Sequence, residues 1–438
     1  MNDFIFGEYI YNLRKKANLS QAKLAKLINV SNKAISKWET GVSKPALKQA
    51  QALAKIFNVT VEDILNCKLK NKEKIITKIV VTGGPCAGKS TAMAWLNEEF
   101  TKKGYTVLTI PETATELILG GIAPWTCETV YDFQKAVFKL QLEKEMIFEN
   151  IAKTLNKSKI LIVCDRGLID GKAYLNDLEF ENLLSEFNLS DTTTKDRYDG
   201  VFHLVTAAKG AEEFYTLSNN KARTETIEEA RVKDDKLISC WTGHSHFRVI
   251  ENSSNFEDKM KKFIEEISAL LGDPIHYELE RKFLIEYPNL KELEKNNNCQ
   301  KVEIIQTYLI SDVNEEVRIR QRGINNNFAY TKTTKKQVKN GKRIEVEKKI
   351  TKDEYLNLLL NANTNKKQIR KTRYCLMENN HYFEIDIYPE WKDKAIMEIE
   401  INNENEKFII PSFIKVIKEV TNDINYSNNS LSENNFKI

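Results

Sequence analysis

Gly83, Gly88, Lys89 and Ser90 fall in the order Gly-x-x-x-x-Gly-Lys-Ser within IVVTGGPCAGKST, residues 79–91. Glycines let backbone amides turn toward phosphate oxygens, and a helix that starts at the lysine adds the positive end of its dipole. Lys89 is expected to reach the β- and γ-phosphates, and Ser90 to ligate Mg2+. Gly84 and Thr91 complete the nucleotide-binding set. The acid such a site needs should end another buried strand. Residues 159–164 (KILIVC) form such a strand, and Asp165 follows as the carboxylate directed at magnesium or at the phosphoryl acceptor. Arg166 and Asp170 come next. Glu112 is either a partner of substrate or metal-bound water, or the solvated start of a helix. Arg223, Glu225, Glu229, Arg231 and Asp234 form a charged helical segment. It is either a lid that closes arginines, Arg223 first, over phosphate or a solvated helix face.

A second pattern lies further along. Glu278, Glu280 and Lys282 alternate, as do Arg318 and Arg320, Glu345 and Glu347, Lys371 and Arg373, Glu384 and Asp386, and Glu398 and Glu400, while Lys332 follows Tyr330 in FAYTK. Strand side chains have period 2, so each pair shares a face, with apolar residues on the other. Charge on one face normally meets water. Here both signs recur strand after strand, and a closed barrel would turn them inward as a tunnel, with acids for metal and bases for polyphosphate.

The elements that position these groups follow from the same reading. A β-branched run at 75–81 meets the glycine-rich turn, and strand-like and helix-like segments alternate to about Leu271, which predicts an α/β domain with a parallel sheet. Gly272-Asp273-Pro274 marks a boundary, and short period-2 strands beyond it predict an antiparallel β domain. Residues 4–66 read as five short helices, with Ser20 and Ser31 as N-caps and 67–74 as a basic linker. The chain is therefore multidomain. The expected domains are 1–70, all-α; 71–273, α/β; and 274–438, antiparallel β with a frayed tail from Ser427.

Charge is spread unevenly over the 438 residues, whose net charge is +4. Residues 1–70 hold 12 Lys/Arg against 5 Asp/Glu, whereas 71–275 hold 26 against 32. Only the head is markedly basic, as polyanion attraction would require, and a uniformly basic coat protein is excluded. The seven cysteines form no CxxC pair, which points to a reducing, cytoplasmic setting without a disulfide framework. No apolar window is long enough to predict a membrane-spanning helix.

Three resemblances stand on these residues. LSQAKLAKLINVSNKAISKWETGVSKP resembles the helix-turn-helix of the phage-repressor (Cro/C1, XRE) type over about residues 5–65. That implies double-stranded DNA as partner, with Asn32, Lys33, Ser36 and Lys37 contacting base or phosphate from the recognition helix and Gln21 bracing the backbone or that helix. It also implies a homodimer over two half-sites. The phosphate loop, with PETATE, FQKAVFKLQLE, CDRGLIDGKAY and RTETIEEA, resembles the AAA_28 P-loop ATPases over about 76–270. These are relatives of ribosylnicotinamide-kinase domains, and the resemblance implies ATP or GTP binding.

The alternating strands resemble the CYTH (triphosphate tunnel metalloenzyme) family over about 276–420, whose signature is ExExK; Gln306 and Tyr308 also fit. The resemblance implies an eight-stranded tunnel barrel, with Glu278, Glu280, Glu398 and Glu400 as Mg2+ or Mn2+ ligands. Lys282, Arg318, Arg320, Lys332, Lys371 and Arg373 would grip triphosphate, while Glu345, Glu347 and Asp386 hold a second metal or orient water. Together the three imply a transcriptional regulator coupled to nucleotide and triphosphate handling. The alternative is an enzyme, a triphosphatase or small-molecule kinase, which its head localises or dimerises.

Overall fold

Serine caps set the helices of the head. Helix α1 (Asp3–Lys16) precedes α2 (Gln21–Leu27), α3 (Asn32–Glu39) and α4 (Leu47–Phe57). The Lys23 and Ala34 amides donate to the hydroxyls of Ser20 and Ser31, each at 3.1 Å, which satisfies amides a first turn leaves orphaned. Phe6, Ile10, Leu24, Ile35, Leu53 and Ile64 form one core. The computed structural model describes residues 3–17, 19–40, 42–57, 59–61, 64, 74–215, 226–252, 255–272, 279–311, 315–325, 327–337, 343–379, 381–401 and 408–433. The fifth expected helix of the head falls largely outside them. Residues 1–75 form one compact unit and 76–438 a second.

The second unit begins with β1 (Ile75–Gly83), α5 (Lys89–Lys102), β2 (Thr106–Ile110), α6 (Thr113–Leu119), α7 (Val130–Thr154) and β3 (Lys159–Asp165). It continues through α8 (Asp177–Glu186), α9 (Asp191–Lys195), β4 (Gly200–Leu204), α10 (Ile227–Trp241), β5 (Phe247–Ile250) and α11 (Phe256–Leu271). The five strands lie in the order β2-β3-β1-β4-β5, with parallel pairing. Neighbouring residues enter opposite cores: Val80, Ile162 and Val201 go to one, Ile79, Val81, Val163 and Phe202 to the other. Both faces are thus covered, which is why these strands read as continuous apolar runs. Strands β1 and β3 are adjacent, so Gly83 and Asp165 end side by side.

The antiparallel sheet comprises β6 (Leu279–Glu286), β7 (Cys299–Tyr308), β8 (Glu315–Ile324), β9 (Asn327–Gln337), β10 (Arg343–Ile350), β11 (Ile369–Glu378), β12 (His381–Ile387), β13 (Lys394–Ile401) and β14 (Val416–Glu419). Helices α12 (Leu290–Lys295) and α13 (Lys352–Leu359) interrupt it, and α14 (Asn428–Leu431) follows it. The order is β10-β9-β8-β7-β11-β12-β13-β6-β14, nine strands where the sequence suggested eight. One face carries the apolar core of Phe283, Tyr374, Phe383, Ile385 and Met397. On the other face Lys371, Arg373, Asp386 and Gln306 are buried, so the middle of the charged face is turned away from water, while Glu280 and Glu400 at its margin are exposed.

Two residues beyond this charge, on the same face, Leu284, Tyr308, Ile369 and Ile396 pack against Tyr388, Val420, Tyr426 and Leu431. Over the described residues 427–433 the tail is therefore not frayed. Ser427 caps α14, Tyr388 Oη donates to Asn428 Oδ1 at 2.8 Å, and the Lys367 amide donates to Ser432 O at 2.6 Å. Apolar burial of Tyr426 and Leu431 outweighs the polar composition around them.

The boundary expected near residue 273 separates two sheets but not two bodies. Met377 of β11 belongs to the same core as Tyr198, Trp241 and Phe247, and Tyr382 packs against it. The Phe247 and Tyr382 rings meet edge to face at 6.3 Å.

Candidate functional sites

The phosphate loop is built by glycine geometry and a short strand-to-helix passage. Gly88 caps α5 with φ +85°, and a Cβ there would come within 2.6 Å of the Phe256 ring. Ser90 and Thr91 are exposed at the helix start. The Lys89 ammonium donates to Gly83 O at 3.3 Å, and burial together with the Arg166 guanidinium brings its pKa down to about 8. Asp165 stands across from it with Oδ1 buried and lacking a hydrogen-bond partner, and burial raises its pKa. A buried carboxylate oxygen with no hydrogen-bond partner, at the end of the strand next to the phosphate loop, suits a divalent cation. Residues Asp165 and Ser90 would hold that cation.

Gly84 departs from its expected role. Its amide donates to Asp234 Oδ1 at 3.0 Å and is already spent. Asp234 is not on a lid or a solvated face; it is fully buried. It also meets His203 Nε2 at 2.9 Å, the Thr206 amide at 3.2 Å and the Lys209 ammonium at 2.9 Å. The His203 and Lys209 contacts hold its carboxyl far below the usual range despite burial. Sequence reading missed this brace because the signal, an acid at the inner position of an amphipathic helix, is local only in part.

Arg231 donates to Ala208 O at 2.6 Å and to Glu212 at 2.8 Å. Arg223, Glu225 and Glu278 lie outside the described residues. Arg166 is paired with Glu112 and lies 3.4 Å from Asp170. Burial opposes ionisation of Glu112, yet Arg166 and Lys89 hold its pKa at about 2. Asp170 accepts from Thr82 and, at 2.7 Å, from the Gly167 amide, so it fixes the loop after Asp165.

On the charged face, Lys282 reaches Glu398 at 2.8 Å and Glu280 at 3.5 Å. Arg373 reaches Glu398 at 2.9 Å and Asp386 at 2.6 Å, and also pairs with Glu384. Lys371 pairs with Asp386, and burial brings its pKa to about 8. Arg320 lies 4.0 Å from Glu347, which accepts from Thr333 at 2.9 Å. Arg320 Nε, Gln306 Oε1 and Thr331 Oγ1 are buried without hydrogen-bond partners, beside Arg318 on the same face. This β8 wall is cationic and polar, and the β12–β13–β6 wall carries the acids, which is an arrangement suited to a polyanion.

One expectation is corrected here. Lys332 stands opposite Ile319, between the positions that face Arg318 and Arg320, so its side chain belongs to the other face; Lys335, opposite Glu316 and Glu345, holds the inward position. Of the expected metal ligands, Glu400 lies opposite Glu280 in the register and pairs with Arg248 of β5, and Glu398 is engaged by Lys282 and Arg373. Among the described residues no three His, Cys, Asp or Glu side chains come together as a metal site. The register pairs Glu345 with Lys335 and places Glu347 on the face of Arg318 and Arg320.

In the head, Asn32, Lys33 and Lys37 are exposed along one side of α3 and Ser36 is half-buried. The other side is fixed by Glu39, which accepts from Arg14 at 2.9 Å and from Gln21 at 2.8 Å. Gln21 therefore ties the start of α2 to the end of α3. No helix among the described residues is long and apolar enough to cross a membrane.

Residues 10–64 match the family described as helix-turn-helix, and 78–259 the family described as AAA domain. The chain is 39% identical over 61 residues to the HTH-type transcriptional activator BcrR of Enterococcus faecalis and 38% over 65 residues to repressor protein C2 of Salmonella phage P22. These matches take in 14% and 15% of this chain and 30% of each relative, so the chain spans about a third of the length of either. It is 40% identical over 55 residues, 13% of this chain, to an uncharacterized HTH-type transcriptional regulator of Archaeoglobus fulgidus, covering 78% of it. Among solved structures, an inorganic triphosphatase is similar at 26% identity and a TM-score of 0.27, over 37% of this chain and 97% of that one.

Proposed function

The chain belongs, through its head, to the helix-turn-helix family of transcriptional regulators, and from that premise we propose that it is a DNA-binding regulator whose operator occupancy responds to nucleotide and triphosphate. The carrying observation is that one chain combines a braced recognition helix with two cradles suited to polyanions. Asn32, Lys33, Ser36 and Lys37 read or grip DNA, and the basic head supplies sequence-independent attraction. Lys89, Ser90, Thr91 and the amides around Gly83 and Gly88 hold ATP or GTP, with Mg2+ at Ser90 and Asp165. Arg318, Arg320, Lys371, Arg373 and Lys282 hold a triphosphate. Two copies of the head on two half-sites form the DNA-bound state, in the cytoplasm.

Footprinting with and without ATP, GTP and tripolyphosphate in magnesium tests the reading. Protection should change with at least one ligand, and a footprint indifferent to all three would sink it. The buried mixture of acids and bases on the charged face favours a second reading, in which that face also turns over its ligand. Phosphate release from tripolyphosphate and from ATP, compared between Glu398→Gln and Lys89→Ala, assigns any turnover to one site. Release unchanged in both variants would leave a binding protein.

A further inference from the structure

The turn after α10 joins the two polyanion cradles. Asp234, within that helix, holds the Gly84 amide of the phosphate loop at 3.0 Å. Trp241, its last residue, is fully buried against the loop that carries Asp165: a Cβ on Gly167 would fall 2.9 Å from the indole. The next residues enter the charged sheet. The Gly243 amide donates to Tyr382 Oη at 3.2 Å, that hydroxyl donates to His244 O at 3.1 Å, and Arg322 donates to Gly243 O. Gly243 has φ +92°, and a Cβ there would collide with Gln300 Oε1, so the two folds touch backbone to side chain.

Each sheet residue in this contact neighbours the cradle. Arg322 follows Arg318 and Arg320 on one face of β8, and Tyr382 precedes Glu384 on the same face of β12. Arg248, on β5, pairs with Glu400, which the register places opposite Glu280.

We propose that α10 and its following turn couple the two sites, so that nucleotide at the phosphate loop changes the affinity of the charged face for triphosphate, and the reverse. The proposal rests on reading both as polyanion sites. Phosphates arriving at the loop draw Lys89 from Gly83 O, next to the amide that Asp234 holds. A close-packed helix transmits a shift at one end to the other rather than absorbing it. At the far end, movement of the Gly243 carbonyl or of Arg248 alters whether Arg322 and Glu400 are engaged across the joint or face the cradle. Linkage requires the effect to be equal in both directions.

Titration calorimetry on the full chain tests this, with tripolyphosphate as one probe and a non-hydrolysable ATP analogue with Mg2+ as the other. Lys89→Ala and Arg320→Ala assign each binding event to its site. Saturation with the analogue should move the tripolyphosphate Kd about fivefold or more, and tripolyphosphate should move the analogue's Kd by the same factor. Tyr382→Phe and Arg248→Gln should each reduce the factor toward one while both ligands still bind alone. Independent Kd values in the wild type, or a factor untouched by both variants, would overturn the coupling and leave the two-site reading standing. Tripolyphosphate binding indifferent to Arg320→Ala would instead remove the two-site reading, and the coupling with it.

Discussion

Single residues decide how each site is held ready. Glu39 is the acid on which Arg14 and Gln21 converge, and Arg14 is itself buried. Breaking a buried pair by removing one partner strands the other charge and costs about 3–5 kcal/mol. Glu39→Ala should therefore speed hydrogen exchange across 32–39 and abolish operator binding without changing nucleotide affinity. Glu112 contributes a pH-dependent part of the stability. Its folded pKa of about 2 lies below the ordinary 4.5, so its pair with Arg166 stabilises the fold fully above about pH 4.5 and loses that contribution as pH falls toward 2. The stability gap between wild type and Glu112→Gln, from urea unfolding, should be larger at pH 7 than at pH 3. An equal gap at both would show that the pair contributes no pH-dependent stability.

At the scale of elements, the segment after β14 closes one end of the charged face with Tyr426 and Leu431. Truncating a buried leucine to alanine typically costs about 2–5 kcal/mol. Leu431→Ala should lower the stability of the second unit to urea by that amount and leave the melting of the head unchanged. That segment was read as frayed because its composition is polar, and only its placement over Leu284 and Tyr308 explains its order. Strand charge was legible for the converse reason: period 2 is a property of each strand alone, so Arg318 with Arg320 and Lys371 with Arg373 could be assigned a shared face directly. In β9 lysines occur at 332, 335 and 336, in both phases of the period, and only pairing with β8 selects Lys335. Asp234 was misread similarly, among Arg231, Lys233, Asp235 and Lys236 on a helix that looked solvated. Its burial comes from His203, Lys209 and Gly84, which lie far away in sequence.

For the molecule as a whole, three sequence modules become two compact units. Small domains unfold as cooperative wholes when their cores are continuous. Calorimetry on the full chain should resolve two transitions, one for the head and one for everything after it. A third transition, separating nucleotide domain from sheet, would contradict the shared core around Trp241 and Met377. The same joint governs how the protein can be taken apart. Met377 and Tyr382 lie in or against a core whose other members precede residue 273. A fragment beginning at 274 would carry these side chains as an uncovered apolar scar, and its self-association would be read before any chemistry of its charged face.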